Sequence, residues 1–399
     1  MELTRPSYRR RERWIDGETS VSITHRENIL RTFRDGISSW VPIIGHVDSY
    51  NRPGDEGMPP EIAEAATEHG WWSGHAGIAY ARYLDITIAA WTPPPLSIEQ
   101  STCETESIES VRDTIRTIHT PSGDLREVIR KAEKGAASYR VEHLLKGPDD
   151  LARLAEVFAG EHIVLDEEQR TLIETRADDV GEGGILISPM PGTPLGMLIR
   201  IYAGPETTAY LHADAPEALG DLFSVMERNY RQRYELGAAT PIDAFLGMDD
   251  TSTNTESPSM FREYCLGYTD RIADIVHRND AMYWHHSCGL IHDLLPIYRE
   301  SRMDAVHAFT EPPTGNVFLD EGRELLGDRI GIVAGLRIME HPLADRKHAA
   351  EVVRGVFERA SRGVRFGLCL TAFQHLTMEQ IRWFRDESAQ YQLPAGSRH

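Results

Sequence analysis

The sequence of 399 residues is poor in cysteine, with only Cys103, Cys265, Cys288 and Cys369. Four thiols do not make a disulfide framework, and such sparse use is typical of a reducing compartment. We therefore expect a cytoplasmic protein whose thiols stay free. Cys103 and Cys265 are predicted to be packed in the core, whereas the other two thiols remain candidates for metal binding.

Positive charge and long apolar runs are also scarce. Lys and Arg number 42 against 62 Asp and Glu, which gives a formal net charge of −20. Phosphate binding needs clustered Lys and Arg, so we expect no nucleic-acid partner. No run of about 18 apolar residues occurs, and the basic N-terminus lacks the apolar segment of a secretory signal. The sequence predicts a protein that neither crosses a membrane nor is secreted.

Short apolar runs recur along the chain and predict buried strands. They lie at residues 40–48, 85–91, 184–190, 242–250, 281–288, 305–311, 330–336 and 366–372. Runs of this kind suit a parallel sheet that is buried on both faces. Amphipathic helices are predicted between the later runs, most clearly at 216–237. The alternation predicts an α/β fold with a (β/α)8 TIM barrel, and a doubly wound sheet is the alternative.

Two segments depart from this repeat. Residues 1–23 are predicted to form a polar N-terminal arm, and residues 24–399 a single barrel domain. Within residues 92–160, the stretch "TIRTIHTPSGDLREVIRK" predicts a β-hairpin with a Pro-Ser-Gly turn, inserted on the barrel. The first barrel helix is predicted to begin after Thr24, because Thr24 and Glu27 have the spacing of a capping box.

The sequence "HHSCG" contains the most specific candidate site. Residues i and i+2 on a strand share one face, so His286 Nε2 and Cys288 Sγ can converge on one ion. We expect Gly289 to let the chain turn into a helix, "LIHDLLPIY", whose N-terminus favours the thiolate. Cys369, at the end of the last predicted strand, can bring a third ligand, and Glu311 a fourth. Nitrogen and sulfur ligands with one exchangeable position are typical of catalytic zinc. Alternatively, the cysteines are small buried apolar residues.

The same residues resemble those of a known family. "HHSCG" looks like the His-x-Cys-Gly segment of the uroporphyrinogen decarboxylase superfamily, in its zinc-dependent methyltransferase branch. "HRENILRTFRDGISSWVPI", "TPSGDLREVI" and "DDTSTNTESPSMFREYCLGYTDRI" resemble further family segments in the same order, over roughly residues 24–385. The resemblance implies a (β/α)8 barrel with zinc held by His286, Cys288 and Cys369. The assignment of Glu311 as a further ligand rests only on its approximate spacing from the His-x-Cys pair.

Two chemistries compete within that superfamily. The superfamily that this sequence resembles includes the uroporphyrinogen decarboxylases, which use no metal. They carry an arginine-rich segment after the first strand, and this segment holds the carboxylates of the substrate. The corresponding stretch "GHVDSYNRPGDEGMP" has one arginine, Arg52, beside Asp48, Asp55 and Glu56. The resemblance therefore favours methyl transfer between a small molecule or thiol and a corrinoid (cobalamin) cofactor on a partner protein. A decarboxylase, or a zinc-binding relative with other chemistry, is the alternative.

Further residues receive predicted roles on this basis. Asp250 or His285 can protonate a leaving group; alternatively, Asp250 caps a turn and His285 faces the helices. Contacts to substrate are predicted for His46, Asp48, Trp71, Trp72 and Tyr283. The tryptophan pair can instead be packed or lie at a subunit contact of a homo-oligomer.

Overall fold

The computed structural model describes residues 11–15, 19–45, 58–69, 75–132, 138–335, 345–360, 365–369 and 376–390. In chain order, the strands are β1 Arg11–Ile15, β2 Thr19–Ile23, β3 Ile43–Gly45, β4 Thr87–Trp91, β5 Leu96–Gln100, β6 Glu104–Glu109, β7 Asp113–Thr120, β8 Gly123–Lys131, β9 Ser138–Glu142, β10 Glu161–Leu165, β11 Gly184–Pro191, β12 Ala244–Met248, β13 Met282–His286, β14 Ala305–Phe309, β15 Gly331–Gly335 and β16 Phe366–Cys369.

Helices connect and surround these strands. They are α1 His25–Arg34, α2 Pro60–His69, α3 His75–Leu84, α4 Asp149–Ala159, α5 Glu167–Val180, α6 Pro194–Met197, α7 Gly204–Asp214, α8 Pro216–Ala238, α9 Pro258–Met260, α10 Leu266–His277, α11 Leu295–Tyr298, α12 Leu319–Leu326, α13 Arg346–Ala360 and α14 Met378–Gln390. Two π-helical turns, Leu198–Tyr202 and Phe261–Cys265, continue α6 and α9. Among the described helices, none has the length and apolar character needed to cross a membrane.

The eight predicted apolar runs form one closed parallel barrel. Its strand order is β3, β4, β11, β12, β13, β14, β15 and β16, with β16 pairing back to β3. Because the strands follow one another in chain order, every connection returns over the outside of the barrel. The (β/α)8 prediction is confirmed. The C-terminal strand ends therefore meet at one mouth, where this fold carries its sites.

The opposite end of the barrel is closed by α1. Thr24 caps this helix, since its hydroxyl accepts the Glu27 N–H at 3.1 Å. The helix carries Phe33 under the barrel, where the ring is fully buried and packs 5.0 Å from the Trp284 ring. A Cβ on Gly331 would lie 2.6 Å from the Phe33 ring, so this position has no room for a side chain. The Phe33 ring therefore fills this end of the barrel interior.

A four-stranded antiparallel sheet, β6 to β9, is inserted between β4 and β11. The predicted hairpin is present as β7 and β8, which pair from Asp113 with Arg130 to Thr120 with Gly123. The sheet holds a fully buried carboxylate, Glu127, whose oxygen accepts from Arg140 Nε at 2.9 Å. The insertion is thus larger than a hairpin. In the predicted N-terminal arm, β1 and β2 form an antiparallel pair.

Candidate metal site at the barrel mouth

The end of β13 orients the two histidines in opposite directions. Trp284 packs with the residues of the barrel interior, and His286, two positions later, shares its face. Its side chain is 15% exposed at the mouth. Tyr283 and His285 alternate outward, toward the helices. The alternation of side chains along the strand therefore places His286 at the mouth of the barrel and His285 on the opposite face.

Three side chains of different chemistry meet there. Asp250, His286 and Cys288 each offer a ligand atom, and these atoms all lie within 4.8 Å of one another. His286 Nε2 is 2.9 Å from Asp250 Oδ1, and the Cys288 thiol donates to the same oxygen at 3.7 Å. In the described part of the chain, no other group of three His, Cys, Asp or Glu residues meets this geometry. The site therefore offers nitrogen, sulfur and oxygen donors.

Backbone geometry holds Asp250 in this position. The residue follows β12 with φ 54°, a left-handed conformation that Asp tolerates better than most residues. Its N–H donates to the His286 carbonyl at 3.0 Å, which links the end of β12 to the end of β13. Its second carboxylate oxygen lies 3.2 Å from Arg200 Nη1. The turn thus fixes the carboxylate before any ion arrives.

His286 and Asp250 form an ion pair at the site. Burial lowers the pKa of His286, but hydrogen bonds to Asp250 and Cys288 outweigh it and raise the pKa to about 9. Burial opposes ionisation of Asp250, yet the hydrogen bond from His286 leaves its pKa below the usual value. Asp250 is therefore a carboxylate at neutral pH, better suited to ligation than to proton donation. A metal ion binding to His286 Nε2 must displace a proton.

The sequence analysis did not identify two residues of the site, His307 and Arg200. His307 lies on β14 directly opposite His286, and the two Nδ1 atoms are 2.9 Å apart. Arg200 belongs to the π-helical turn that follows α6. One signal for His307 was present in the sequence, because it is the one polar residue of the apolar run "AVHAF". Arg200 left no such indication, because π-turns near functional sites are not readable from a single sequence.

A buried acidic network supports the site from behind. Asp249 accepts hydrogen bonds from the Thr193 N–H at 3.0 Å and from the Thr193 hydroxyl. Glu256, also buried, accepts from the Cys265 thiol at 3.0 Å. Burial raises the pKa of Asp249 to about 7 and that of Glu256 to about 8, where Asp249 adds repulsion. Cys265 is packed as predicted, and so is Cys103.

The structure does not bring every predicted ligand to this cluster. Cys369 is the last residue of β16, fully buried among the side chains of the barrel interior, and does not join the group within 4.8 Å. Glu311 is buried elsewhere: its carboxylate accepts from Arg359 Nη2 at 2.9 Å and from the Leu319 N–H at 3.0 Å. The carboxylate therefore faces the outer helices α12 and α13.

Two other predicted residues lie on the helix side of β13. His285 is fully buried, and its Nε2 lies 3.0 Å from the Thr251 hydroxyl. Burial lowers the pKa of His285 to about 3, so the ring is neutral at neutral pH. Tyr283 is fully buried too, with its hydroxyl against Gly247, where a Cβ would lie 2.4 Å away. Neither side chain reaches the mouth in this structure.

Four predicted substrate contacts lie outside the described residues: His46, Asp48, Trp71 and Trp72. The expected helix directly after Gly289 is wrong. A short 3-10 turn, His292–Leu294, comes first, and α11 begins only at Leu295. Gly289 serves a close approach instead, because a Cβ there would lie 2.3 Å from Ser252 Cβ. The Cys288 thiol is consequently not placed at a helix N-terminus.

The fold of this chain is similar to that of a solved methyltransferase. A methyltransferase from Methanosarcina mazei superposes with a TM-score of 0.61 at 12% identity, covering 92% of this chain and 99% of that chain. This likeness shows a shared fold. No protein-family model matches the sequence, and neither does any curated protein.

Two further solved barrels show weaker likenesses. A glycoside hydrolase family 5 enzyme from Prevotella bryantii gives a TM-score of 0.35 at 10% identity, covering 56% of this chain and 78% of its own. A D-psicose 3-epimerase from Clostridium cellulolyticum gives 0.33 at 10% identity, covering 55% and 76%. Likenesses this weak carry no argument about function.

Proposed function

We propose that this protein is a zinc-dependent methyltransferase or demethylase. It moves a methyl group between a small molecule or thiol and a corrinoid cofactor carried by a partner protein. The observation that carries the proposal is the convergence of His286 Nε2, Cys288 Sγ and an Asp250 oxygen at the mouth of the barrel. A fold neighbour described as a methyltransferase supports it.

The donor set fits zinc better than it fits a hard cation. Imidazole nitrogen and thiolate sulfur are preferred ligands of Zn²⁺, whereas Mg²⁺ and Ca²⁺ favour sites made of oxygen. His286 and Cys288 would hold the ion with Asp250. The resemblance also implies Cys369, but in this structure that thiol is buried in the barrel interior, outside the cluster. When bound, Zn²⁺ supplies the charge that keeps a thiol ligand in its thiolate form near neutral pH.

The residues of the mouth then have distinct tasks. Asp250 would be the weakest of the three donors, so an incoming thiol would take its place on the ion. Arg200, 3.2 Å from the carboxylate, would then hold the displaced Asp250 side chain. The corrinoid would supply the methyl group as an electrophile to a thiol, or would accept it from a methylated small molecule in the demethylase direction.

Metal analysis tests the site directly. The purified protein should hold about one Zn²⁺ per chain. Cys288→Ser and His286→Ala should lose most of it, because each removes one of the few protein ligands. Cys103→Ser is the matched control, since this thiol is free and buried but does not belong to the ligand group, and it should retain the metal. Full zinc retention in both mouth variants would disprove the assignment.

An activity assay tests the chemistry. Methylcobalamin should lose its methyl group, seen in its visible spectrum, when the zinc protein is mixed with a suitable thiol. Coenzyme M and homocysteine belong in the panel, and Cys288→Ser should abolish the change. Uroporphyrinogen is the control substrate for the metal-free alternative. Formation of coproporphyrinogen at enzyme-like turnover would favour the decarboxylase instead.

A further inference from the structure

We propose that His307 is the positioning residue of this site: it accepts the hydrogen bond from His286 Nδ1 and thereby reserves His286 Nε2 for the metal. The inference rests on the proposed zinc site and deepens it. Nothing in the sequence patterns assigns a role to His307. Its side chain is 2% exposed and belongs to the interior of the barrel mouth.

Strand register brings the two rings together. His286 and His307 are paired positions on neighbouring parallel strands, so their side chains project from the same face side by side. The Ser287 N–H donates to the His307 carbonyl at 2.6 Å and fixes this register at the end of β13. The Trp284 ring lies nearly parallel to the His307 ring, with 18° between their planes and 6.2 Å between centroids. The orientation of His307 is therefore set by packing.

The contact between the rings fixes where the proton lies. The two Nδ1 atoms are 2.9 Å apart, a hydrogen-bond distance, so one nitrogen donates and the other accepts. The opposite nitrogen of His286, Nε2, points at Asp250 and Cys288. When a metal ion takes the Nε2 lone pair, the proton of the neutral ring must be on Nδ1. His307 Nδ1 is then the acceptor.

This arrangement differs from the usual supporting contact. Ligating histidines generally donate their second N–H to a carboxylate, a carbonyl or a water molecule. Here the His307 imidazole takes that place, because Asp250 lies on the other side of the His286 ring, at Nε2. A neutral acceptor leaves less negative charge near the ligand than a carboxylate would. The loss of such a contact typically weakens metal binding by about 10–100-fold.

The test is Co²⁺ binding to the full-length protein, measured by competition with a chelator. His307→Phe removes the acceptor and fills the space, and we expect about 10–100-fold weaker binding. His307→Asn retains an acceptor oxygen and should recover most of the affinity with an unchanged ligand-field spectrum. In the paramagnetic proton spectrum, the exchangeable N–H of the His286 ligand should be sharp in wild type and in His307→Asn. In His307→Phe this signal should broaden through exchange with solvent.

A remote histidine provides the control. His212→Phe changes a part-buried histidine that contacts Tyr264, and it should leave both readouts unchanged. Wild-type affinity and a sharp N–H signal in His307→Phe would overturn the inference while leaving the zinc site intact. A shifted ligand-field spectrum in His307→Asn would also overturn it, because His307 would then be a ligand. Absence of metal binding in wild type would instead remove the proposed function.

Discussion

At the scale of single residues, Asp249 is enclosed on two sides by glycines. A Cβ on Gly196 would lie 1.6 Å from Asp249 Oδ1, and a Cβ on Gly192 would lie 2.4 Å from the same atom. The carboxylate is buried and accepts hydrogen bonds from Thr193. Because Asp250 follows directly, the position of Asp249 also determines the position of the candidate metal ligand.

We therefore expect Gly196→Ala to lower the free energy of unfolding by about 1–3 kcal/mol, the usual cost of overpacking a core. The variant should also bind zinc less tightly, because Asp249 must move. Gly220 is the matched control: it lies inside α8, and a Cβ there has nothing within 4 Å. Gly220→Ala should raise the free energy of unfolding by about 0.5–1 kcal/mol through helix propensity. Urea unfolding measures both, and equal effects of the two substitutions would contradict this account.

At the scale of elements, α10 is tied to the start of β14 by an ion pair. His277, the last residue of α10, has Nε2 2.8 Å from Asp304 Oδ2. The same oxygen accepts the Tyr283 N–H at 2.7 Å, so the pair also fixes the start of β13. The hydrogen bond to Asp304 raises the pKa of His277, with burial opposing it. His277 is partly exposed, so solvent screens part of the interaction.

This pair predicts a coupling that depends on pH. The folded-state pKa of His277 is raised, so its stabilising contribution is complete below the unfolded value of about 6.5. It is lost as pH rises through the raised folded value. In a double-mutant cycle of His277→Gln and Asp304→Asn, the coupling free energy from urea unfolding should be larger at pH 6 than at pH 9. A coupling that grows with pH would show that the charged pair is not what stabilises this contact.

The geometry of the strands also explains why the metal ligand on β13 could be predicted from the sequence, whereas the one after β14 could not. Strand ends and faces were predictable on β13, because a period of two places Trp284 and His286 on one side. The same alternation, continued from His307, would direct Glu311 into the mouth. A bulge in β14 between His307 and Phe309 breaks the alternation, since two residues oppose one on β15. Phe309 then packs outward and Glu311 binds Arg359. A bulge leaves no mark in hydrophobic periodicity.

Contacts between elements could not be predicted from the sequence either, because they depend on how the strands and helices pack together. His307 and Arg200 join the site through register and through a π-helical turn, and both depend on the assembled barrel. Asp250 was predicted near the mouth as a proton donor, whereas its distances to His286 and Cys288 make it a candidate ligand. Local patterns identify the elements; side-chain convergence depends on packing between them.

At the scale of the whole molecule, the barrel does not depend on the metal site for its closure. All eight strands are joined by backbone hydrogen bonds around the ring, and α1 closes the opposite end with Phe33. The ligands themselves are held by protein contacts, such as the Asp250 N–H to the His286 carbonyl. The metal-free protein is therefore expected to fold, unlike small domains whose core is a zinc ion.

Removal of zinc with a chelator should lower the thermal stability of the protein without unfolding it. After removal of zinc, the far-ultraviolet circular dichroism should be unchanged, and unfolding should stay cooperative. The melting temperature should nevertheless fall, because a ligand that binds only the folded state stabilises it in proportion to the logarithm of its concentration over Kd. At a free zinc concentration of about 100 times Kd, the difference is about 2.7 kcal/mol. Cys288→Ser, which lacks a ligand, should melt at nearly the same temperature with and without zinc. Loss of secondary structure on chelation would mean that the metal holds the barrel together and is not confined to its mouth.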